Sequence, residues 1–509
     1  MTDATTHAGE LAAPKIGQLA HCPDSKNDPS ALEKAGVPYS YCKGLNANPS
    51  DTLVDPINER VVSVGKLCAE AETRKRVKDQ AFDPFISLAP DKKTLLISLL
   101  LPLCDEAMGR RLGRKATDRE KYGLALASVT ANALRAAYHP TSTTVHYPRA
   151  RDFFSGHSDH YPDFMRAITL RNVVDALGTL GFLVLTRGKR ERVGNGWLKL
   201  QSTFQASKDF VAWLDQSGIA PCDLIRLEGR SPLILRNSRK RDIPYDARDA
   251  AILTMVEGIR TYNKFLSQVE LSLDLPEAEL EKMHTAPERT GDPRPPINFD
   301  DKELCRIFNN GSFEQGGRFF RGWWISVPKM YRDHILIDGK PTVEKDYSGC
   351  FLRMLYHLED KPFPEDPYAI PQVKALAGEQ ELDWKVVRTA IKRLTNIYLN
   401  ASRKDKIGYF PDITCDLPAG LNRPEQIYAL IKEMHKPIAH NFRTGYGVRL
   451  MRLESDMCAY VLAKGVREQI PVLPIHDSFR VQRDHGDWLE QAMRAAYQEQ
   501  LPGFSPEIE

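Results

Sequence analysis

The chain has 509 residues, 42% of them hydrophobic, with 70 Lys and Arg against 67 Asp and Glu for a formal net charge of +3. This length has room for roughly two to four domains with full cores, and the near balance of charge excludes a bulk polybasic or polyacidic protein, so any nucleic-acid surface must be local. Nine cysteines, an odd number without a C-x-x-C pair, exclude a disulfide framework and a zinc ribbon and favour a reducing compartment.

Residues 1–55 are polar, rich in Pro, Asn, Asp and Ser, and predict a flexible N-terminal arm; Met1-Thr2-Asp3-Ala4 has no basic-then-apolar leader pattern. The longest apolar run, residues 95–103, contains Ser98 and Pro102 and falls short of the ~20 residues that a membrane span needs. The expectation is a soluble, cytoplasmic protein with no membrane partner. Residues 56–240 predict a helical, winged-helix-like domain. Within it, 118–138 is a helix with Leu124, Leu126, Val129, Ala133 and Leu134 on one side, and 169–181 is a second, closed by Gly181. Strands at 182–186 and 197–200 then flank a basic turn carrying Arg187, Lys189 and Arg190, and such a turn would touch nucleic-acid phosphates while the preceding helix enters a groove, or else meet protein. Arg236, Arg239, Lys240 and Arg241 read as a charged linker, 246–268 as a helix, and the Pro-rich stretch 284–300 as a loop.

Residues 245–509 carry the chemistry. Gly316-Gly317-Arg318 precedes Trp323-Trp324 and Val327-Pro328. A β-type run then ends in Asp346-Tyr347-Ser348, followed after three residues by Leu352-Arg353 and after three more by His357-Leu358. Asp366-Pro367-Tyr368 follows. After Asp383 as a helix cap, Trp384, Val387, Ile391, Leu394 and Tyr398 recur at helical spacing, while Arg388 and Lys392, one turn apart, share another face. Leu450, Leu453, Met457 and Val461 mark a further helix with Glu454 on its polar side, and His476-Asp477-Ser478 sits at the tip of an apolar hairpin. Two carboxylates at strand ends can hold two divalent cations roughly 3.5–4 Å apart if the fold unites them.

In this order the motifs resemble those of family A DNA polymerases, the bacterial DNA polymerase I type. The resemblance is confined to motifs between about residues 310 and 500. It implies an α+β fold in which a right-hand palm and fingers, an antiparallel sheet with helices, follow the winged-helix-like region, with the 246–268 helix thumb-like. It also implies a DNA-directed DNA polymerase that adds dNTPs to a primer 3′-hydroxyl on a DNA primer-template. No pair of acidic strand motifs upstream suggests a proofreading exonuclease, and the appended DNA-binding-like region points to replication or repair of a mobile element. Asp346 and Asp477 would be the catalytic pair and, with Tyr347, the contacts for two Mg²⁺, with Mn²⁺ as a substitute. Arg388 and Lys392 would clamp the triphosphate, Tyr368 would touch its phosphates, and Tyr398 is the aromatic nearest the family's base-stacking place. Arg318 would reach the minor groove at the primer end, His476 would lie beside the primer terminus, and Glu454 would face the template. Phe351 stands where the family has a glutamate that closes the site against the sugar 2′-hydroxyl, which implies a preference for deoxynucleotides. Two departures are visible. Tyr398 matches the spacing of neither family A nor the single-subunit RNA polymerases, and His-Asp-Ser-Phe at 476–479 is what the latter carry, leaving an RNA polymerase or primase as one alternative and a DNA-binding initiator or regulator with an inactive polymerase module as another.

Overall fold

The computed structural model describes residues 79–509, apart from 110–113, 151–152, 155–160, 194–195, 286–295, 403–409 and 422. It also describes two short strands, β1 (Thr52–Asp55) and β2 (Arg60–Ser63), paired antiparallel. The chain divides into two compact units, Met1–Arg76 with Gly291–Pro293, and Val77–Thr290 with Arg294–Glu509. In the first, only β1 and β2 are described, so the expected arm lies outside the described residues but for β1. The second is a mixed α+β body with mostly antiparallel sheets and two hydrophobic cores.

The first core, formed by residues between Ile86 and Ile219, lies in a segment whose elements are β3 (Gln80–Ala81), β4 (Ile86–Leu88), α1 (Pro90–Ala107), α2 (Ala116–Ala137), β5 (Val145–Tyr147), α3 (Ala167–Thr179), β6 (Leu183–Thr186), β7 (Arg190–Val193), β8 (Gly196–Lys199), β9 (Ser202–Ala206) and α4 (Lys208–Gln216). The helix α3 buries Leu170, Val173, Val174 and Leu177, the spacing that predicted it, and ends before Gly181 at φ +75°. The hairpin after it pairs differently from the expectation. β6 pairs with β9, not with residues 197–200, and β7 with β8 forms a separate two-stranded arm at the tip. Between the two ladders, the Gly188 N–H donates to Ser202 Oγ at 2.9 Å, and a Cβ on Gly188 would lie 2.5 Å from the Leu200 carbonyl oxygen. Arg187 and Lys189, on either side of Gly188, are exposed; Arg190 begins β7, and its side chain lies outside the described residues.

The second core begins earlier than the sequence suggested. After β10 (Leu224–Arg226), which pairs with β4, the supposed charged linker is a hairpin, β11 (Leu233–Arg236) and β12 (Asp242–Ile243), with Lys240 at φ +58° in its turn and Arg236 bonded to Asp242. Next come α5 (Ala250–Ser267), capped by the Asp249 side chain, β13 (Leu271–Leu273), α6 (Glu277–Thr285), β14 (Cys305–Asn309), β15 (Ser312–Phe320), β16 (Ile335–Ile337) and β17 (Lys340–Asp346). Then follow α7 (Cys350–Leu358), α8 (Pro371–Glu379), α9 (Trp384–Asn400), α10 (Pro424–Met434), α11 (Gly447–Arg467), β18 (Leu473–Ile475), β19 (Ser478–Gln482) and α12 (Gly486–Gln500). One sheet runs β12-β11-β14-β15; the other, five-stranded and antiparallel throughout, runs β13-β16-β17-β19-β18. No described helix is long and apolar enough to cross a membrane.

The two cores meet through a charged junction. Asp83, beside β4, bonds Arg226 at 2.9 Å, and Arg226 and Arg230 reach on to Asp300 and Asp301 at 3.2 and 3.0 Å. Burial alone would raise the Asp83 carboxyl, yet the two guanidiniums hold it down at about 2, so it is ionised whenever the protein is folded at ordinary pH. Its contribution to stability is complete above the ordinary aspartate range and is lost as pH falls toward 2. Asp83→Ala should cost about 1.5–3 kcal/mol, since Arg226 and Arg230 lose a buried charge-assisted partner but keep Asp300 and Asp301; a urea unfolding midpoint at pH 7 unchanged from wild type would refute this.

Candidate active site

Antiparallel register between β17 and β19 brings the two predicted aspartates together. Asp346, the last residue of β17, pairs with Ser478, the first of β19, and Asp477 is the next residue round the tip. The Tyr347 N–H donates to the Asp477 carbonyl at 3.3 Å, closing the juxtaposition. The tip is tight: His476 sits at φ +62°, in the left-handed region that side chains other than glycine seldom occupy. It is held from below by the Trp324 indole N–H on the Pro474 carbonyl at 3.0 Å and by the Tyr262 hydroxyl on the Val472 carbonyl. On the other edge of β17, residues 507–509 add a short bridge, with Asp346 and Glu509 exchanging both main-chain hydrogen bonds at 3.0 Å. The main chain of Asp346 is thus fixed on both sides.

Its carboxylate is not satisfied. Asp346 Oδ1 is buried without a hydrogen-bond partner among the described residues. Burial, and then the Asp477 charge, push the Asp346 carboxyl up to about 7, with Lys329 and Lys392 opposing. An orphaned carboxylate oxygen facing a second carboxylate is what a divalent cation would relieve, so the donor chemistry fits Mg²⁺ or Mn²⁺. The set is a pair: the described residues contain no group of three or more His, Cys, Asp or Glu side chains arranged to hold a metal. The Tyr347 side chain is not available as a ligand, since its hydroxyl is buried and donates to the Met493 carbonyl at 2.6 Å; only its main-chain carbonyl could serve.

A third carboxylate lies close by. Glu454, on α11, is 2% exposed and accepts from Arg318 Nε at 2.9 and 3.0 Å and from Nη2 at 2.6 Å. Burial pushes its carboxyl up to about 7; Arg318 opposes this, and the charges of Asp477 and Asp346 add to it. Arg318 reaches this partner because Gly316 and Gly317, at φ +81° and +85°, form an irregularity in β15 against α11, where a Cβ on Gly317 would sit 2.7 Å from Ser455 Oγ. Glu454 therefore faces Arg318 rather than standing free. The Arg318 guanidinium also lies 5.2 Å from the centroid of the half-buried Phe351 ring. His476, half-buried near Phe320, is kept neutral, its pKa lowered to about 4 by burial and then by Arg318, and its Nδ1 has no described partner.

The cationic side is formed by α9. Lys392 is exposed and close enough to act on Asp346, and Arg388 lies one turn before it. Both sit over the Tyr368 ring, 5.1 Å from Arg388 Cζ and 5.9 Å from Lys392 Nζ. Tyr368 is 3% exposed, so it underlies these cations instead of presenting its hydroxyl to a ligand, a correction to the expected phosphate contact. Tyr398 is a second correction. It is 2% exposed and packs against Tyr428 with ring centroids 4.7 Å apart. Its place in the stripe with Val387, Ile391 and Leu394 puts it on the core face of α9 rather than on a face open to a base. Sequence reasoning missed Lys329, exposed before β16 and acting on Asp346, as well as the acceptor role of Asp366 toward Arg388. A lone lysine after a proline carries no pattern to find it by.

No protein-family model matches the chain, and no curated protein matches it.

In metal-free protein the raised Asp346 carboxyl works against folding once it must ionise: the folded state holds a proton that the unfolded chain releases, so stability falls as pH rises from about 4 through 7. Asp346→Asn should therefore raise the urea midpoint at pH 8 without divalent cations and have little effect at pH 4. Equal midpoints at both pH values would contradict the buried carboxylate pair.

Proposed function

We propose that the protein is a template-directed nucleotidyltransferase, a DNA polymerase that extends a primer 3′-hydroxyl with dNTPs. The observation that carries this reading is the meeting of Asp346 and Asp477 at adjacent strand ends, with an unsatisfied carboxylate oxygen on one side and the Arg388–Lys392 face on the other. This supports a right-hand arrangement with the five-stranded sheet as palm and α9 as the fingers helix. Bound at the carboxylate pair, two Mg²⁺ ions would activate the attacking hydroxyl and stabilise the leaving oxygen.

The remaining roles fall to the chain's own groups. Arg388 and Lys392 bind the triphosphate and stabilise the charge that gathers on the departing pyrophosphate, an effect strongest where the cations are held in place before the reaction. Arg318, held by Glu454 through Nε and Nη2, presents its remaining donors to the primer end. Phe351, beneath Arg318, forms an apolar wall that excludes a sugar 2′-hydroxyl by volume. Neutral His476 flanks the terminus without adding a charge. Template and primer are held largely through phosphate contacts, which makes activity salt-dependent. The exposed turn with Arg187 and Lys189 is a further place for such contacts.

Ser478 after Asp477 favours a second reading, a single-subunit RNA polymerase or primase; the Ser478 hydroxyl is engaged by Glu344 at 2.8 Å and is not free for substrate. Extension of a labelled primer-template with dNTPs or rNTPs in Mg²⁺ separates the two. We expect dNTP incorporation, loss of it by on the order of a hundredfold or more in Asp346→Ala and Asp477→Ala, and entry of rNTPs in Phe351→Ala. Duplex binding without extension by wild-type protein would replace this reading with that of a DNA-binding initiator or regulator.

A further inference from the structure

Arg388 is oriented from behind. Its Nε donates to both oxygens of Asp366, at 3.1 and 3.0 Å, while neither terminal nitrogen is bonded to any described residue. Asp366 is itself anchored, since the Tyr368 N–H donates to its Oδ1 at 3.0 Å, and the ring that follows is buried beneath the guanidinium. The carboxyl stays ionised: burial would raise its pKa, but the Arg388 and Tyr368 hydrogen bonds lower it. An exposed carboxylate–guanidinium pair ordinarily contributes little. This one differs in its geometry. The acid takes the single nitrogen nearest the chain and leaves the terminal edge of the planar fork, the edge suited to two phosphate oxygens, without a partner. Lys392 shares the same aromatic floor, so both cations are presented on one face.

We propose that Asp366 is a positioning residue for the triphosphate: it locks Arg388 through Nε so that the terminal nitrogens meet the phosphates of the incoming nucleotide. This rests on the nucleotidyl-transfer reading above for the identity of the ligand, and it assigns Asp366 a supporting role opposite to that of a carboxylate that competes with phosphate for the arginine.

Calorimetric titration of inorganic triphosphate into the full chain tests it, using wild type, Asp366→Ala, Asp366→Asn, Arg388→Ala and the Asp366→Ala/Arg388→Ala double variant. Loss of a charge-assisted hydrogen bond predicts about tenfold weaker binding in Asp366→Ala. Asp366→Asn, which keeps one acceptor, should fall between it and wild type, and the double variant should bind no worse than Arg388→Ala. The proposal is overturned if Asp366→Ala binds as tightly as wild type or more tightly, if its loss persists undiminished without Arg388, or if wild type does not bind triphosphate. Should Asp366→Ala fail to fold, an Asp366→Asn affinity equal to wild type overturns it equally. Primer extension run alongside separates this from the parent reading: the expected affinity pattern in a protein that extends nothing removes the polymerase reading alone, and extension without any change in affinity removes this inference alone.

Discussion

The placement of two carboxylates against each other is the constraint around which the second core is arranged. Burying a carboxylate disfavours its charge and a second carboxylate beside it disfavours it further, so the Asp346 carboxyl is raised first by burial and then by Asp477. That cost is met by rigid main-chain anchoring. β19 holds one edge of β17, the 507–509 segment holds the other at Asp346, and the hydroxyl and indole donors of Tyr262 and Trp324 fix the run into the hairpin tip. A tip that could relax would let the aspartates separate; this one has few ways to do so.

Charge is graded outward from that pair. Glu454 adds a third acid, but its negative charge is taken up by Arg318, which in turn rests on Phe351. On the opposite flank the cations are not neutralised by the acidic pair: Arg388 is held by Asp366, and Lys392 sits exposed above Tyr368. The result is an unsatisfied acidic centre beside a positively charged face, a combination suited to a polyanion bound together with a divalent metal. Removed from this centre, the Asp83–Arg226–Arg230 junction couples the two cores by paired charges.

Much of this was legible along the chain where one local rule governs a segment. Asp383 and the stripe from Val387 to Tyr398 specify α9, Gly181 closes the helix before the basic turn, and the apolar runs on either side of His476-Asp477 specify the hairpin. Legibility failed where pairing is non-local. Residues 197–200 have strand character, but only the fold determines that β6 takes β9 as its partner and leaves β7 and β8 to pair with each other. The basic run from Arg236 to Arg241 reads as a linker because its charges are conspicuous, although Leu233 and Leu235 commit it to the second core. For Tyr398 the reverse holds: its helical spacing with Val387, Ile391 and Leu394 already puts it on the core face, whatever family motif it lies near.

By itself the sequence determined the local chemistry: which residues carry charge, which stretches must be helix or strand, and that two aspartates stand at strand ends. Periodicity and capping act over one or two turns, and the sequence states them directly. Tertiary structure alone decided that Asp346 and Asp477 share one place, that Glu454 faces Arg318, that Asp366 stands behind Arg388, and that Tyr368 and Tyr398 are buried. These follow from strand register and helix packing between segments far apart in the chain, where a shift of one residue turns a side chain to the opposite face and no local rule records which face was chosen.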